Sequence, residues 1–449
     1  MTILMITDNT KDEALICLET IRKYSDIDDL NIIVVDNAST DGTGEAMSEV
    51  LGITYIYMDE GKCSFAKIFN DVVRELKIND DLLVMGQPLA VCPHTLSNIK
   101  KALEVPGTAI ACGMGNSFGG YQLMPSEISN YAEAVNKTTE KGEELLAVRA
   151  MSAFSECFLI KGECLEQLGE MDEEYNEIVF AVQDYCIKAV VMDKNILINM
   201  SSYFWQPAER VIFDYASGSE YALDMAHRDK IWGVHYFIVL GNPNLLTMID
   251  KSARDNFKIL EVGCDCGGSL LMTKNYYPYA ELYGTDINGK AVDIAKHVCT
   301  AVTNNIEDKN LPFDKDSFDF IVFGDVLEHL RDPLSAIKYC RELLTKDGCI
   351  IASVPNLMHI SVMEGLLQGN FTYEEAGLLD KTHIHMFTYK EMMNMFDEAG
   401  FVIEDVNYAT VDITDKQRKL IDSLMELSED VDRYMYETFQ YVIRARKVG

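Results

Sequence analysis

Lys258-Ile-Leu-Glu-Val-Gly-Cys-Asp-Cys-Gly-Gly268, read together with Tyr283-Gly-Thr-Asp-Ile287, decides the fold of this chain. Ile259, Leu260 and Val262, with Phe257 ahead of them, predict a short buried strand. The strand breaks into a tight turn at Gly263, and Gly267-Gly268 lead into a helix expected over Ser269–Tyr277. A second strand, Glu281–Thr285, ends in Asp286. A strand, a glycine turn, a helix and an acid at the tip of the next strand make a nucleoside-binding device. The glycines let the backbone approach the ligand, and the acid accepts hydrogen bonds from ribose hydroxyls. The acid lies about twenty residues beyond the last glycine, as that geometry requires.

The loop lacks the full glycine pattern that seats a pyrophosphate, and Glu261 sits inside the strand, so a nicotinamide cofactor is not expected. The run instead resembles the first motif of class I S-adenosylmethionine (SAM) methyltransferases. The resemblance continues through Thr303-Asn-Asn-Ile-Glu307, then Ser317-Phe-Asp-Phe-Ile-Val-Phe-Gly-Asp-Val-Leu-Glu-His-Leu330, then Val354-Pro-Asn356 and Leu379-Asp-Lys-Thr-His-Ile-His-Met-Phe-Thr388. These later blocks are similar to those of a subfamily common in bacterial glycan clusters. The resemblance implies SAM held by Glu261, Gly263, Asp265, Gly267, Asp286, Ile287, Asn305, Ile306 and Asp325. Asp265 stands where the family usually has its middle glycine.

Methyl transfer from a sulfonium dissipates charge, so the protein must chiefly align nucleophile, methyl and sulfur. A sugar hydroxyl as acceptor has a proton to lose, and a histidine or carboxylate is the usual recipient. Glu328 and His329, and His383 with His385, fall near the carboxyl edge of the expected sheet. His383 is the favoured base because the subfamily block most often keeps that histidine; His329 is second, and Glu328 third. His383 and His385 alternate by two and would share one side of an extended segment. An H-x-H pair also suits a metal, but no third ligand stands at a recognisable spacing, so no metal is expected.

The first half alternates strands and helices: Thr2–Ile6, Asp12–Tyr24, then the apolar run Ile32-Ile-Val-Val35, then Thr54–Tyr57 and Ser64–Leu76. That order predicts a doubly wound sheet with ligands at its carboxyl edge. Leu15, Leu18 and Ile21 are expected on the buried face of the first helix. Val34-Val-Asp-Asn-Ala-Ser-Thr-Asp-Gly-Thr43 resembles the nucleotide-sugar loop of family-2-type glycosyltransferases with the GT-A fold. Cys157–Met171 is similar to the family's acceptor-side block, and Asp184-Tyr-Cys-Ile-Lys188 to its closing helix. The resemblance implies that Asp36, Ser39, Asp41 and Asp184 belong to a nucleotide-sugar site, with a UDP-linked donor the first to test. Two departures weaken the implied chemistry. The metal-binding D-x-D should follow the strand Asp81–Met85, yet Gly86-Gln87-Pro88 stands there. The positions before Asp184, where the general base belongs, read Ala181-Val182-Gln183. A carboxylate folded in from elsewhere would restore a metal site at Gly86–Pro88; none would favour recognition without turnover.

The fold class is therefore α/β, with two doubly wound domains: 1–206 GT-A-like, 207–250 a helical linker, and 251–449 a Rossmann-like SAM methyltransferase. Pro207 and Tyr215–Glu220 predict a break, and Tyr221–Leu240 a helix carrying Trp232, His235 and Phe237; His227 and His235 are expected to pack or face solvent. Asp415–Tyr436 predicts an acidic helical insertion. With 39 Lys and Arg against 72 Asp and Glu, the formal charge is −33, which would repel nucleic acid and anionic membranes. No apolar run reaches the ~20 residues that span a bilayer. Twelve cysteines without paired C-x-x-C spacing, and no leader-like start, suggest thiols in the cytoplasm. The expected activity is methylation of a sugar or sugar-linked group in bacterial glycan assembly. The alternative is an inactive recognition module in front of a methyltransferase whose acceptor is an amine or small metabolite.

Overall fold

The computed structural model describes residues 1–25, 29–58, 61–207, 219–234, 237 and 240–448. Its contacts divide the chain into two compact units, Met1–Leu240 and Gly241–Gly449. Tyr215, Ser217, Gly218 and His235 lie outside the described residues.

The first unit is built on β1 (Thr2–Thr7), β2 (Asn31–Asp36), β3 (Thr54–Tyr57), β4 (Leu82–Met85), β5 (Ala90–Val91), β6 (Thr108–Gly115), β7 (Ala147–Ala150), β8 (Cys157–Ile160) and β9 (Asn195–Trp205). Their order is β3-β2-β1-β4-β8-β6-β9-β5, with β7 also pairing β9. β1 runs parallel to β2 and β4, and β2 to β3, whereas β8 is antiparallel to both β4 and β6. β1 and β4 are buried along their whole length, which explains their unbroken apolar sequences. The helix Lys11–Tyr24 buries Ala14, Cys17, Leu18 and Ile21. That set follows the i, i+3, i+4, i+7 stripe; Leu15 falls one step round the helix and is exposed, contrary to expectation. Helix Ser219–Trp232 stops at Gly233, whose φ is +66°, well short of the expected Leu240. It belongs to the first unit, where it packs on helix Ile178–Val191.

The second unit carries β10 (Lys258–Val262), β11 (Glu281–Asp286), β12 (Thr300–Thr303), β13 (Phe318–Gly324), β14 (Leu344–Pro355), β15 (Phe401–Thr410) and β16 (Thr438–Lys447). The order is β12-β11-β10-β13-β14-β16-β15, parallel except for β16, which runs antiparallel to both its neighbours. Two cores sandwich this sheet. One gathers Leu260, Ile321, Phe323, Ile337 and Phe396, the other Ile259, Phe320, Val322, Leu270 and Val292. Consecutive residues of β10 and β13 thus go to opposite faces, and both faces are covered. The sequence order reverses between β10 and β13, which opens a crevice at their carboxyl ends. The acidic insertion is one helix only to Leu427, capped by Thr414 and Gln417, and a separate turn covers Tyr434–Glu437. Asp430 between them has φ +56°, which interrupts the helix that the charge pattern suggested.

Candidate functional site

A cavity of about 430 Å³ occupies the crevice of the second unit. Val262 and Gly263 at the end of β10, Asp286 and Ile287 at the end of β11, Asn305 and Ile306 from the turn after β12, and Asp325, His329 and Arg331 after β13 all line it. The glycine turn owes its shape to contacts on two sides. The Gly263 and Cys264 amides donate to the Thr285 carbonyl at 2.8 and 3.1 Å. Gly263 has φ +75°, and a Cβ there would come within 2.5 Å of Val326 Cγ2, so no other residue fits without a shift. Asp265 also adopts a left-handed φ, +45°. An acid is among the side chains that best tolerate that region, which accounts for the missing glycine. Its amide donates to Asp286 Oδ2 at 3.0 Å, tying the glycine turn to the acid of the next strand. Asn288 N donates to Asp286 Oδ1 at 2.8 Å. Each carboxylate oxygen still has acceptor capacity for a ribose hydroxyl.

Glu261 lies beneath the turn, 5% exposed, and its Oε2 has no hydrogen-bond partner. Burial pushes its carboxyl up to about 8, opposed by a hydrogen bond with Ser269 and reinforced by the charges of Asp265 and Asp286. Asp325 receives its support from outside the motif blocks. Its amide donates to Ser353 Oγ at 2.9 Å, and its Oδ1 accepts from Ser353 and Gln440. Burial holds this carboxyl above its usual range. Gln440 in turn accepts from Asn242. Ser353, Gln440 and Asn242 stand in no recognisable motif; the pairing of β14 with β16 brings the first two to this corner, and Asn242 joins them from the cap of the helix Pro243–Thr247.

Past Asp325 the chain turns through Leu327–His329 and presents three ionisable side chains together. Glu328 is 1% exposed, with Oε2 unpartnered, and its Oε1 lies 3.9 Å from His383 Nε2. Burial pushes the Glu328 carboxyl up to about 8, helped by the charge of Asp325. The His329 and His383 rings meet edge to face with centroids 4.8 Å apart. His329 lines the cavity, and His383 stands against it. Burial keeps the His383 ring below its ordinary pKa, so it is neutral near pH 7. His329 Nδ1 faces the Thr382 carbonyl and His383 Nδ1 the Leu378 carbonyl, each at 3.2 Å. A carbonyl only accepts, so both Nδ1 atoms carry a proton, and in the neutral ring it is Nε2 that keeps the lone pair. The Glu328 carbonyl accepts from the Ile384 and His385 amides at 2.9 and 3.0 Å, docking the histidine block on the tip of β13. His385 does not join His383. It stacks on Phe387, and its Nε2 faces the Arg331 carbonyl at 3.2 Å.

In the first unit the expected residues also gather at strand ends, but they bond to the protein itself. Asp36, fully buried at the end of β2, accepts from Ser39 N at 2.9 Å and Tyr55 Oη at 3.0 Å. Burial, followed by the Asp36 charge, pushes the Tyr55 hydroxyl up to about 12, so it stays a donor. Ser39 Oγ accepts from Asn9 N, and Asp41 accepts from Thr43 and from Lys11 N. The loop after β2 is thereby stitched to the tip of β1. Asp184, 1% exposed, accepts from Trp232 Nε1 at 2.7 Å and pairs with Lys188 at 3.1 Å. Gln183 accepts from Arg228 at 2.8 Å, and Asp224 receives the Asn176 and Glu177 amides. His227 lies between Asp172 and Glu174.

At Gly86-Gln87 a carboxylate does arrive from elsewhere. The Gly86 amide donates to the Glu156 carbonyl at 2.9 Å, and Gln87 Nε2 donates to Glu156 Oε1 at 2.5 Å. A Cβ at position 86 would meet Glu156 Cγ at 2.5 Å, so the glycine exists to admit this side chain. Glu156 is 7% exposed. One buried carboxylate held by an amide replaces the two expected acids, and no spacing in the sequence could have revealed it.

A seven-stranded sheet with this strand order, a glycine turn and an acid beyond it together define a SAM-dependent methyltransferase in the second unit. Residues 239–406 match the family model described as a methyltransferase domain, and residues 2–142 match glycosyl transferase family 2. A protein of Rickettsia prowazekii (strain Madrid E) named as a methyltransferase is 31% identical over 166 residues, covering 36% of this chain and 70% of its own. Demethylmenaquinone methyltransferase of Staphylococcus aureus (strain JH9) is 27% identical over 173 residues, 34% of this chain and 72% of that protein. A solved SAM-dependent methyltransferase from Archaeoglobus fulgidus is 16% identical, with TM-score 0.32, covering 44% of this chain and 88% of that one. The chain belongs to the methyltransferases and carries a family-2 glycosyl transferase domain at its N-terminus. No helix among the described residues is long and apolar enough to cross a membrane.

Proposed function

We propose that this chain methylates a hydroxyl of a glycan or sugar-linked group during bacterial glycan assembly in the cytoplasm. The N-terminal half binds the nucleotide-sugar or glycan without transferring it. SAM supplies an electrophilic methyl group on a sulfonium. Asp286 holds its ribose, Ile287, Asn305 and Ile306 flank its adenine, and Gly263, Asp265 and Gly267 bring the backbone close to it. The fit rests on the cavity that Gly263, Asp286, Asn305 and Ile306 line and on the unpartnered Glu261 Oε2 behind the turn. Asp325 lines the pocket, and Glu261 stands behind the turn, in a neighbouring small cleft with Asn242 and Ser269. The corner formed by Glu328, His329 and His383 then accounts for the acceptor's proton. The observation that carries the hydroxyl reading is this cluster, two imidazoles with free Nε2 lone pairs and a buried carboxylate beside the cavity. An alkoxide is a far better nucleophile than an alcohol, whereas a neutral amine attacks unaided.

Glu156 beside Gly86 by itself speaks for a metal site; recognition without turnover in the N-terminal half is supported instead by Glu156 being a single carboxylate held on Gln87, and by Asp184 being held on Trp232 and Lys188. Neither carboxylate is arranged to steady a departing diphosphate. Cysteines present as thiols, most of them buried, support a reducing compartment. The likeness to demethylmenaquinone methyltransferase favours a second reading, methyl transfer to a small metabolite. The deciding experiment incubates the intact chain with SAM and UDP-, GDP- and dTDP-sugars, oligosaccharides, amines and quinols. Release of S-adenosylhomocysteine with a methyl ether on a sugar is expected. Turnover confined to amines or quinols would overturn the glycan reading.

A further inference from the structure

We propose that Glu328, His329 and His383 form a binding site for a first-row divalent transition-metal cation, which takes the acceptor's hydroxyl oxygen as a further ligand. The inference rests on the methyl-transfer reading for its purpose but not for its geometry. One ligand atom from each residue, a carboxylate oxygen and two ring nitrogens, lies within 4.8 Å of the others. Ligands bonded at ~2.0–2.2 Å to a common ion stand roughly 3–4 Å apart, so closure needs the widest pair to draw together by roughly 1–2 Å. His383 Nε2 and Glu328 Oε1, at 3.9 Å, are already within that span.

Three further features fit a cation better than a simple histidine pair. Both imidazoles are fixed in the tautomer a metal needs, since Nδ1–H is turned to the Thr382 and Leu378 carbonyls. A backbone carbonyl behind a ligating histidine is the usual outer support of such sites. Glu328 Oε2 is buried with no hydrogen-bond partner, an arrangement that costs free energy unless a cation or ligand completes it. The residue that sequence spacing could not supply as third ligand is Glu328, fixed beside the histidine block by the Ile384 and His385 amides. Two imidazoles and one carboxylate suit zinc or manganese better than magnesium or calcium, which prefer all-oxygen shells. Three protein ligands leave open positions. A hydroxyl bound there loses its proton more readily: the O–H bond breaks, the oxygen stays on the cation, and the proton leaves to water past exposed His329. The histidines then act as ligands, and the cation carries out the activation otherwise required of a base.

The test titrates the chelator-treated full chain with Mn²⁺, chosen because it has little affinity for thiols, and reads free Mn²⁺ by electron paramagnetic resonance. Wild type is compared with Glu328→Gln and His383→Gln, and SAM binding is measured calorimetrically on the same samples. The expected result is one Mn²⁺ site per chain in wild type, weakened by at least about 100-fold in both variants while SAM still binds. Equal Mn²⁺ binding in wild type and both variants, or no stoichiometric site in wild type, would overturn the proposal. A variant that fails to bind SAM is replaced by His329→Gln, read by the same criterion. Loss of SAM binding in wild type itself would sink the methyl-transfer reading and leave the metal result to stand on its own.

Discussion

Both halves of this chain place acids at the carboxyl ends of parallel strands, yet they use them in opposite ways. In the C-terminal half Asp286 lines a cavity of about 430 Å³, and Glu261 and Glu328 each keep an oxygen without a partner. In the N-terminal half Asp36 and Asp41, at and just after the end of β2, accept from neighbouring amides and hydroxyls, and Asp184, on the helix Ile178–Val191, accepts from an indole. A carboxylate already bonded to its own loop organises that loop. One left unsatisfied in a low-dielectric cavity stores free energy that a ligand can recover. Asp286 and Asp36 each end a parallel strand and bond to amides of the loop that follows, and they differ in that Asp286 also lines a cavity whereas Asp36 is fully buried.

Breaking the brace should give the largest change in stability. Asp184→Ala leaves Trp232 without its acceptor and takes the ion pair from Lys188, which keeps only the Glu170 carbonyl, so about 2–4 kcal/mol of stability should be lost from the N-terminal unit. Urea unfolding followed by tryptophan fluorescence measures this, and SAM affinity should not change. Loss of SAM affinity without loss of stability would reverse the contrast between the halves. Next in size is Gly263→Ala, which places a Cβ against Val326 at a positive φ and should cost roughly 1–3 kcal/mol. Adding Val326→Ala should restore the steric part, read as a partial recovery of the melting temperature.

Smaller at any one pH step is the effect of Glu261, whose folded pKa of about 8 lies above its ordinary 4.5. The unfolded chain releases this proton from about pH 4.5 upward, while the folded protein keeps it to about pH 8. Ligand-free stability should therefore fall as pH rises through that window, by up to about 1.4 kcal/mol per pH unit from this group, and level off above it. Denaturation at steps from pH 5 to 8 should show a shallower fall in Glu261→Gln; an identical slope would mean Glu261 is ionised in the fold. The smallest effect concerns the nucleotide-sugar half. If a uridine nucleotide binds near Asp36, Mn²⁺ should change its affinity by less than about 3-fold, because the ion that would bridge the diphosphate lacks its acid pair. A large Mn²⁺-dependent gain, abolished by Glu156→Gln, would show that Glu156 leaves Gln87 to serve as a ligand.

The parts of this molecule that could be read from sequence are those whose chemistry is local. The strand, turn and acid of residues 258–287 need only a buried apolar run, a left-handed turn and a polar tip, and each leaves a mark in consecutive residues. Asp265 shows the limit even there, since its positive φ and its bond to Asp286 appear only once both strands are paired. The remainder depends on distant residues meeting. Glu156 reaches Gly86 because β8 lies antiparallel to β4. Glu328 reaches His383 because the histidine block docks on the tip of β13. His385, whose spacing suggested a partnership with His383, follows no extended strand and turns to Arg331 instead. β5 is two residues long, too short to show any alternation. Leu15 and Asp430 are single-residue failures of periodicity, one by a step round the helix and one by a backbone reversal.

The most direct test of the contrast is calorimetry of SAM against the intact chain and its Asp286→Ala variant. Two charge-assisted hydrogen bonds to the ribose, at roughly 1.5–3 kcal/mol each, should disappear with the carboxylate. The variant should therefore bind SAM at least about 100-fold more weakly while the chain stays folded. Unchanged SAM affinity in a folded Asp286→Ala variant would contradict the account, because the acid open to the cavity would then be a brace like Asp36.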